Sequence, residues 1–261
     1  MCFRLIVPSK IIAWTLARAV VDKGYTKAAV IYRSDAWGTD LYNAFKERFE
    51  KLGGVVKGIA YDPKAEDLSA EVGKLADLVQ EMGDGTAVVA IIFEKEGVQI
   101  LKLASKNTVL SSVQWFGSSA IVGSDKIKDQ AGDIAVKLGG LISPLYSPPE
   151  TPDKERFAKR FKEIYGEEPD SFSMNAYDAL WLVALTIIQI GEYDGEKIAQ
   201  ALIPVSSKLY GVTGRLELDE NGDRIGEKCG LWMIAEENGL YKWVKIGQYD
   251  YKTDTITWTK P

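Results

Sequence analysis

Histidine is absent from the 261 residues. That absence excludes Ser-His-Asp and Cys-His nucleophile arrangements, imidazole acid–base catalysis, and zinc or iron sites that need an imidazole ligand. Cysteine is nearly absent too, with only Cys2 and Cys229 present. Two thiols cannot build a multi-thiolate metal site. They could close at most one disulfide, across nearly the whole chain, and two unpaired thiols is the simpler reading. A positive excess is also missing: 32 Lys and Arg face 37 Asp and Glu, a net of −5. This argues against a general binder of phosphate backbones, so no nucleic-acid partner is expected. No run reaches the roughly 20 uninterrupted apolar residues of a membrane span. Ile11–Val21 is apolar, but Lys10 brackets it and Arg18 interrupts it, so it does not read as a signal peptide. Phe172–Ile190 comes closest and contains Asn175, Asp178 and Gln189, which favours a buried helix.

What is present suffices for a substantial core: 46% of residues are hydrophobic and 10% aromatic. The length allows one large domain or two small ones. Residues 26–142 alternate between two periods. Short β-rich runs occur at Lys27–Tyr32, Val55–Tyr61, Ala87–Phe93, Val113–Phe116 and Gly139–Ser143. Amphipathic helical patterns occur at Ile11–Lys23, Asp40–Leu52, Leu68–Met82 and Gly97–Ser105, with apolar residues at i, i+3, i+4 and i+7. Gly53-Gly54 and Gly83-Asp84-Gly85 close two of them. The alternation predicts an α/β fold, a doubly wound and mostly parallel sheet. Ala87–Phe93 (AVVAIIF) is apolar throughout, as a strand covered on both faces should be.

The pattern changes after residue 143. Ser143–Asp153 holds four of the nine prolines and reads as a connector. Helices follow at Pro152–Tyr165, Ser171–Ile190 and Gly195–Leu202, with no β-rich run between them. Gly211–Asp219 reads as a short strand. Leu231–Ala235, Leu240–Ile246 and Thr255–Thr259 read as antiparallel strands, with Asn238-Gly239 a hairpin turn. Ser171–Ile190 is apolar on nearly all faces yet has no sheet nearby in sequence to cover it. This half looks like part of a domain, and exposed apolar surface around Tyr177, Trp181 and Leu185 predicts self-association.

Motifs for chemistry are few. Tyr42-x-x-x-Lys46 matches a dehydrogenase spacing, but no Gly-x-Gly-x-x-Gly follows any strand. Asp219-x-Asn221-x-Asp223 resembles the start of a calcium loop, but position six is Arg224 and position twelve is Gly230, so a hairpin turn is expected. No Gly-Lys-Ser/Thr phosphate loop occurs. No cofactor and no metal are expected. What remains is the set of loops at the carboxyl ends of the parallel strands, where open α/β sheets bind ligands. They are Arg33–Gly38, Phe93–Gly97 and Phe116–Ser119. Each places an aromatic (Trp37, Phe93, Trp115 or Phe116) beside polar groups such as Glu94, Ser118 and Ser119, a composition that suits a small amphipathic ligand.

Several motifs fall in one order. They are Phe3-Arg4, Pro8-Ser9, Ala29–Tyr32, Trp37-Gly38, Phe157–Tyr165, Ala176-Tyr177-Asp178-Ala179, Gly211-x-x-Gly214 and Asn221-Gly222-Asp223. Together they resemble the type I periplasmic binding proteins, nearest the branched-chain amino acid (Leu/Ile/Val) solute-binding components of ABC importers. The resemblance implies two α/β lobes closing on a small ligand in the cleft between them, a non-enzymatic role and a membrane permease as partner. It also implies an extracytoplasmic location, although no signal peptide is read at Met1. By similarity, residues 10–142 with 229–261 form lobe two, and residues 1–9 with 143–228 form a crossover and an incomplete lobe one. The sequence in hand starts on the crossover, so the N-terminal part of lobe one is expected to be missing. Trp37 and Phe93 match aromatics that line the family's cleft. Ser119 stands where several members place an acidic residue that meets the ligand's amine, and Glu94 or Glu96 could supply that charge. A ligand-sensing regulatory domain of the same fold is the alternative function.

Overall fold

The computed structural model describes residues 2–225 and 228–259. The elements in chain order are α1 (Ser9–Asp22), β1 (Lys27–Arg33), α2 (Ala36–Lys51), β2 (Val55–Tyr61), α3 (Ser69–Met82), β3 (Thr86–Ile91), α4 (Glu94–Ala104), β4 (Trp115–Gly117), α5 (Asp125–Lys137), β5 (Ser143–Tyr146), α6 (Pro152–Tyr165), α7 (Ser171–Ile190), α8 (Gly195–Ser206), β6 (Tyr210–Gly211), β7 (Gly214–Arg215), β8 (Lys228–Glu237), β9 (Leu240–Asp250) and β10 (Thr255–Trp258). The chain divides into two compact units. The larger comprises Ser9–Leu145 and Lys228–Pro261, the smaller Met1–Pro8 and Tyr146–Glu227.

The larger unit is built on a parallel sheet of order β2-β1-β3-β4. The central strands are the continuously apolar ones. All six residues of β3 and Ala28–Ile31 of β1 are buried, whereas β2 at the edge exposes Val55. Helices α2 and α3 pack on β1 and β2, α1 packs on α2, and α4 on α5. The core joins Ile31, Leu75, Val88, Leu101, Trp115 and Ile127. A second sheet has the order β10-β9-β8-β5. Its β8–β9 hairpin turns at Asn238 (φ 55°) and Gly239 (φ 77°), the left-handed pair that a two-residue hairpin turn requires.

Four features depart from the sequence reading. Helix α5 was not anticipated. Its buried positions Ile127, Ala131 and Ala135 are mostly alanine, and Ala131 leaves helical geometry, so its apolar stripe is faint. Gly139–Ser143 is not a strand. Gly139, Gly140 and Leu141 have positive φ and form a turn, Ile142 makes a single parallel bridge to Phe116 of β4, and the strand proper begins at Ser143. Pro144 is tolerated in β5 because β5 lies at its sheet's edge. Helices α2 and α4 begin earlier than their apolar stripes, at Ala36 and Glu94, because acidic side chains cap them.

The fourth departure lies in the smaller unit. Gly211–Asp219 forms only a two-residue ladder between β6 and β7. The turn joining them is gripped by Asp178 of α7, whose carboxylate accepts the Val212 N–H (2.9 Å), the Thr213 N–H (2.8 Å) and the Thr213 hydroxyl. Gly211 sits so close that a Cβ there would overlap the Asp178 carboxylate. Arg224 is buried beside them and every guanidinium nitrogen has an acceptor, among them Thr213 Oγ1 (2.7 Å), Asn175 Oδ1 (3.1 Å) and the Leu5 and Arg215 carbonyls. Burial lowers its pKa, but the hydrogen bonds satisfy the charge. The family-ordered motifs Ala176–Ala179, Gly211–Gly214 and Asn221–Asp223 thus converge on a structural clamp. Asp219 closes the last of them by accepting the N–H groups of Asn221 and Asp223, both at 2.9 Å.

The apolar core of this unit is small: Leu5, Leu182, Leu202, Val205, Leu216 and Leu218. Helix α6 buries no residue. Helix α7 reads as a buried type of helix left without a covering sheet, and it is only partly covered: Leu180 and Ile188 are 71% and 73% exposed and Trp181 48%. Burying one such side chain fully is worth about 1.5–3 kcal/mol, so this face forgoes a large stabilisation.

Candidate ligand-binding site

In the order β2-β1-β3-β4 the connections leave β1 in opposite directions, and the β1/β3 junction is the switch point. Sheets of this order bind ligands outside the carboxyl ends of the strands at that junction. Here the ends are Arg33 of β1 and, after β3, Phe93 at the start of α4.

Asp35 caps α2 by accepting the Gly38 N–H (2.9 Å) and also receives the Arg33 guanidinium at 2.7 and 2.9 Å. Gly38 is needed there because a Cβ would overlap the Arg33 carbonyl. The cap places Trp37 in the first turn of α2. The remaining Arg33 nitrogen donates to Glu96, a buried carboxylate that also accepts the Tyr61 hydroxyl (3.2 Å) and the Phe93 N–H (3.3 Å). The Phe93 ring lies over the guanidinium, 4.1 Å from its central carbon, and contacts the Trp37 ring at a centroid distance of 4.7 Å and an angle of 37°.

Charge here is strongly compensated. Burial opposes the Arg33 charge, but Asp35 and Glu96 outweigh it and raise the guanidinium pKa. Burial likewise opposes the Asp35 charge, but Arg33 and the Gly38 N–H hold that carboxyl below its usual range. Burial, with the adjacent Glu96, pushes the Tyr61 hydroxyl far up, so it stays protonated as a donor. Arg33 is therefore committed to two carboxylates and is not available to a ligand's anionic group. The arrangement offers an aromatic surface for apolar atoms, with the exposed carboxylate of Glu94 beside it.

Of the residues singled out from the sequence, Trp37 and Phe93 meet in ring contact. Glu94 is exposed and is the first residue of α4, not part of a loop. Ser118 is fully buried, and its hydroxyl donates to the Ile92 carbonyl (2.9 Å) and accepts the Ile92 N–H (3.4 Å), tying the end of β4 to the end of β3. Ser119, next in the chain, is part-exposed and opens a short 3-10 turn. Trp115, expected at the mouth, belongs to the core and donates its indole N–H to the Leu110 carbonyl (2.9 Å).

The roles of Arg33, Asp35 and Tyr61 are not assigned from sequence, and Glu96, named with Glu94 as a source of charge for a ligand's amine, is buried and paired with Arg33. Glu96 carries a usable signal: Phe93-x-x-Glu96 has the spacing of a capping box. Tyr61 carries none. It reaches the site because β1 and β2 pair with Arg33 opposite Tyr61. Tyr42 of the dehydrogenase-like spacing stacks on Tyr32 at 4.2 Å, and burial raises its pKa, the wrong direction for a proton donor. Cys2 and Cys229 are both free thiols.

Comparison with known proteins points one way. A family model described as the receptor family ligand binding region matches residues 2–236. An uncharacterised protein of Methanocaldococcus jannaschii is 28% identical over 248 residues, covering 90% of this chain and 58% of its own length. A Leu/Ile/Val-binding protein homolog of Brucella suis is 25% identical over 230 residues, covering 86% of this chain and 56% of its own length. A leucine binding protein of Thermotoga maritima superposes with a TM-score of 0.73 at 22% identity, covering 93% of this chain and 66% of that one. The chain thus spans a little over half the length of these curated relatives.

Proposed function

The chain belongs to the receptor ligand-binding family with the type I periplasmic binding fold, and from that premise we propose that it is a solute-binding component, or a portion of one, of an ABC importer. Its larger unit presents one side of a binding site for an amino acid or a similar small molecule. The observation that carries this reading is the Trp37–Phe93 pair, held at the β1/β3 junction by Arg33 and Glu96. The rings cover the ligand's apolar atoms, Glu94 meets an amine, and Ser119 orients a polar group. Ser118 acts by holding the strand ends in place. The setting is extracytoplasmic and the wider partner is a permease. The uncovered face of α7 supports association between copies of the chain. A ligand-sensing domain of the same fold would use the same site. A permease gene beside this one favours transport, and a kinase gene favours sensing.

The test is a 15N NMR titration of the chain with leucine, isoleucine, valine and benzoate, following the indole signals of its seven tryptophans. A zwitterionic amino acid should shift the Trp37 signal, assigned through Trp37→Phe, and benzoate should not. With one side of the site in hand, binding should be weaker than micromolar. Failure of every amino acid to move the Trp37 signal would overturn the reading, and micromolar affinity would overturn its partial nature.

A further inference from the structure

We propose that the groove between α4 and α5 is a docking surface for an acidic segment of a partner protein. The groove is about 410 Å³ and is lined by Lys95 and Lys102 on α4, Lys106 in the turn just beyond it and Lys126 on α5, together with Val98 and Leu103. The chain as a whole carries a net charge of −5, yet these eight lining residues include four lysines and no acid.

What sets them apart is their convergence on one groove, since Lys64, Lys74, Lys159 and Lys208 also make no ion pair among the described residues. Lys51, Lys57, Lys128, Lys154, Lys162 and Lys197 each reach a carboxylate at 2.5–2.6 Å. Among the described residues, none of the four groove lysines makes an ion pair, and all are exposed. The nearby acids of α5, Asp125 and Asp129, are turned to Lys128.

Helix stability does not account for them either. Cations favour a helix's last turn. Lys102 and Lys106, at the end of α4, fit that preference. Lys95 and Lys126 do not, because each is the second residue of its helix, where the dipole disfavours a cation. Four like charges converge from two helices without internal neutralisation, so an external anion is the natural complement.

The geometry selects the kind of anion. Lys95 and Lys102 lie at i and i+7 on one stripe of α4, about 10 Å apart along the axis, and Lys106 follows in the turn after the helix ends at Ala104. That spread suits carboxylates spaced along a peptide better than one phosphate. The groove has no arginine to fork a phosphate. Lysines on both walls of a concave groove also suit a peptide better than a flat bilayer, and Val98 and Leu103 would meet its methylenes.

The experiment measures fluorescence anisotropy of a labelled Glu-rich helical peptide of about 14 residues against the full chain, at about 20 and 200 mM NaCl. Two variants reverse or remove the groove charge: Lys102→Glu with Lys126→Glu, and Lys95→Gln with Lys126→Gln. A third, Lys51→Glu with Lys57→Glu, changes net charge as much as the first but at remote sites. Saturable, salt-weakened binding should fall about tenfold or more with the groove reversal, fall less with the glutamine pair, and stay near wild type with the remote pair. An equal loss in the remote variant means diffuse attraction and overturns the proposal. So does absence of peptide binding, or preferential binding to phosphatidylserine vesicles. The assay needs no solute, so its outcome is separate from that of the ligand titration.

Discussion

Glu96 takes the Arg33 guanidinium directly beneath the Phe93 ring, so one buried carboxylate sets both the electrostatics and the aromatic surface of the candidate site. The link spans the β1/β3 junction and joins residues 63 positions apart. The first prediction tests it. Glu96→Ala leaves one Arg33 nitrogen, the Tyr61 hydroxyl and the Phe93 N–H without their acceptor while Asp35 keeps the rest of the guanidinium, and removing one partner of a buried pair costs about 3 kcal/mol. Urea unfolding should show the loss. Glu96→Gln keeps an acceptor for Tyr61 and Phe93 and should lose less. Equal stability of wild type and Glu96→Ala would contradict the hub.

A second prediction concerns the clamp of the smaller unit. Asp178→Ala leaves the buried Val212 and Thr213 donors unpaired, a cost of roughly 3 kcal/mol. Hydrogen exchange at these two amides should accelerate strongly while amides of β3 keep their protection. Unchanged exchange at Val212 and Thr213 would show that the carboxylate does not hold the turn.

Acid sensitivity follows from Asp35. Its folded pKa lies below the ordinary value because Arg33 and the Gly38 N–H outweigh its burial. The stabilisation is therefore fully present above the unfolded value of about 3.9 and is lost as pH falls through the lower folded value. Asp35→Asn should be less stable than wild type at pH 7, and the gap should narrow as pH falls below the unfolded value. A gap that persists unchanged at low pH would remove the charge from the explanation.

The two cysteines should differ sharply in reactivity. Cys2 is exposed, whereas Cys229 is fully buried and its thiol is pushed up to about 12 by desolvation. Ellman's reagent should titrate one thiol in the native chain and two in guanidinium chloride. Two fast native thiols would mean that β8 is not packed as described.

The outer face of α7 makes a fifth test. Leu180→Glu with Ile188→Glu places charges where 71% and 73% exposed apolar groups now stand. Sedimentation should show the wild type associating with rising concentration and the variant remaining monomeric. A monomeric wild type at high concentration would end the self-association proposal.

Much of the layout is legible in the order of residues because it depends on local periodicity. The apolar run of β3, the stripes of α1, α2 and α3, and the Asn238-Gly239 turn each follow from backbone geometry repeated along the chain. Trp37 and Phe93 stand out for a related reason, being aromatics at strand ends. Helix α5 escapes because alanines at Ala131 and Ala135 bury little surface and leave a weak signal.

Tertiary structure alone decided what depends on contacts between distant elements. The register that sets Tyr61 opposite Arg33, the buried Glu96 between them, and the conversion of Ser118 into a strand tie arise only when β1, β2, β3 and β4 lie side by side. Asp178, Thr213 and Arg224 likewise read as ordinary polar residues until folding removes their water and makes each the other's partner. Local conformational preference acts over a few residues and is written into the sequence as spacing. Burial and charge pairing act across space, and the same Glu or Arg becomes a solvated surface group or the centre of a site according to what the fold brings to it.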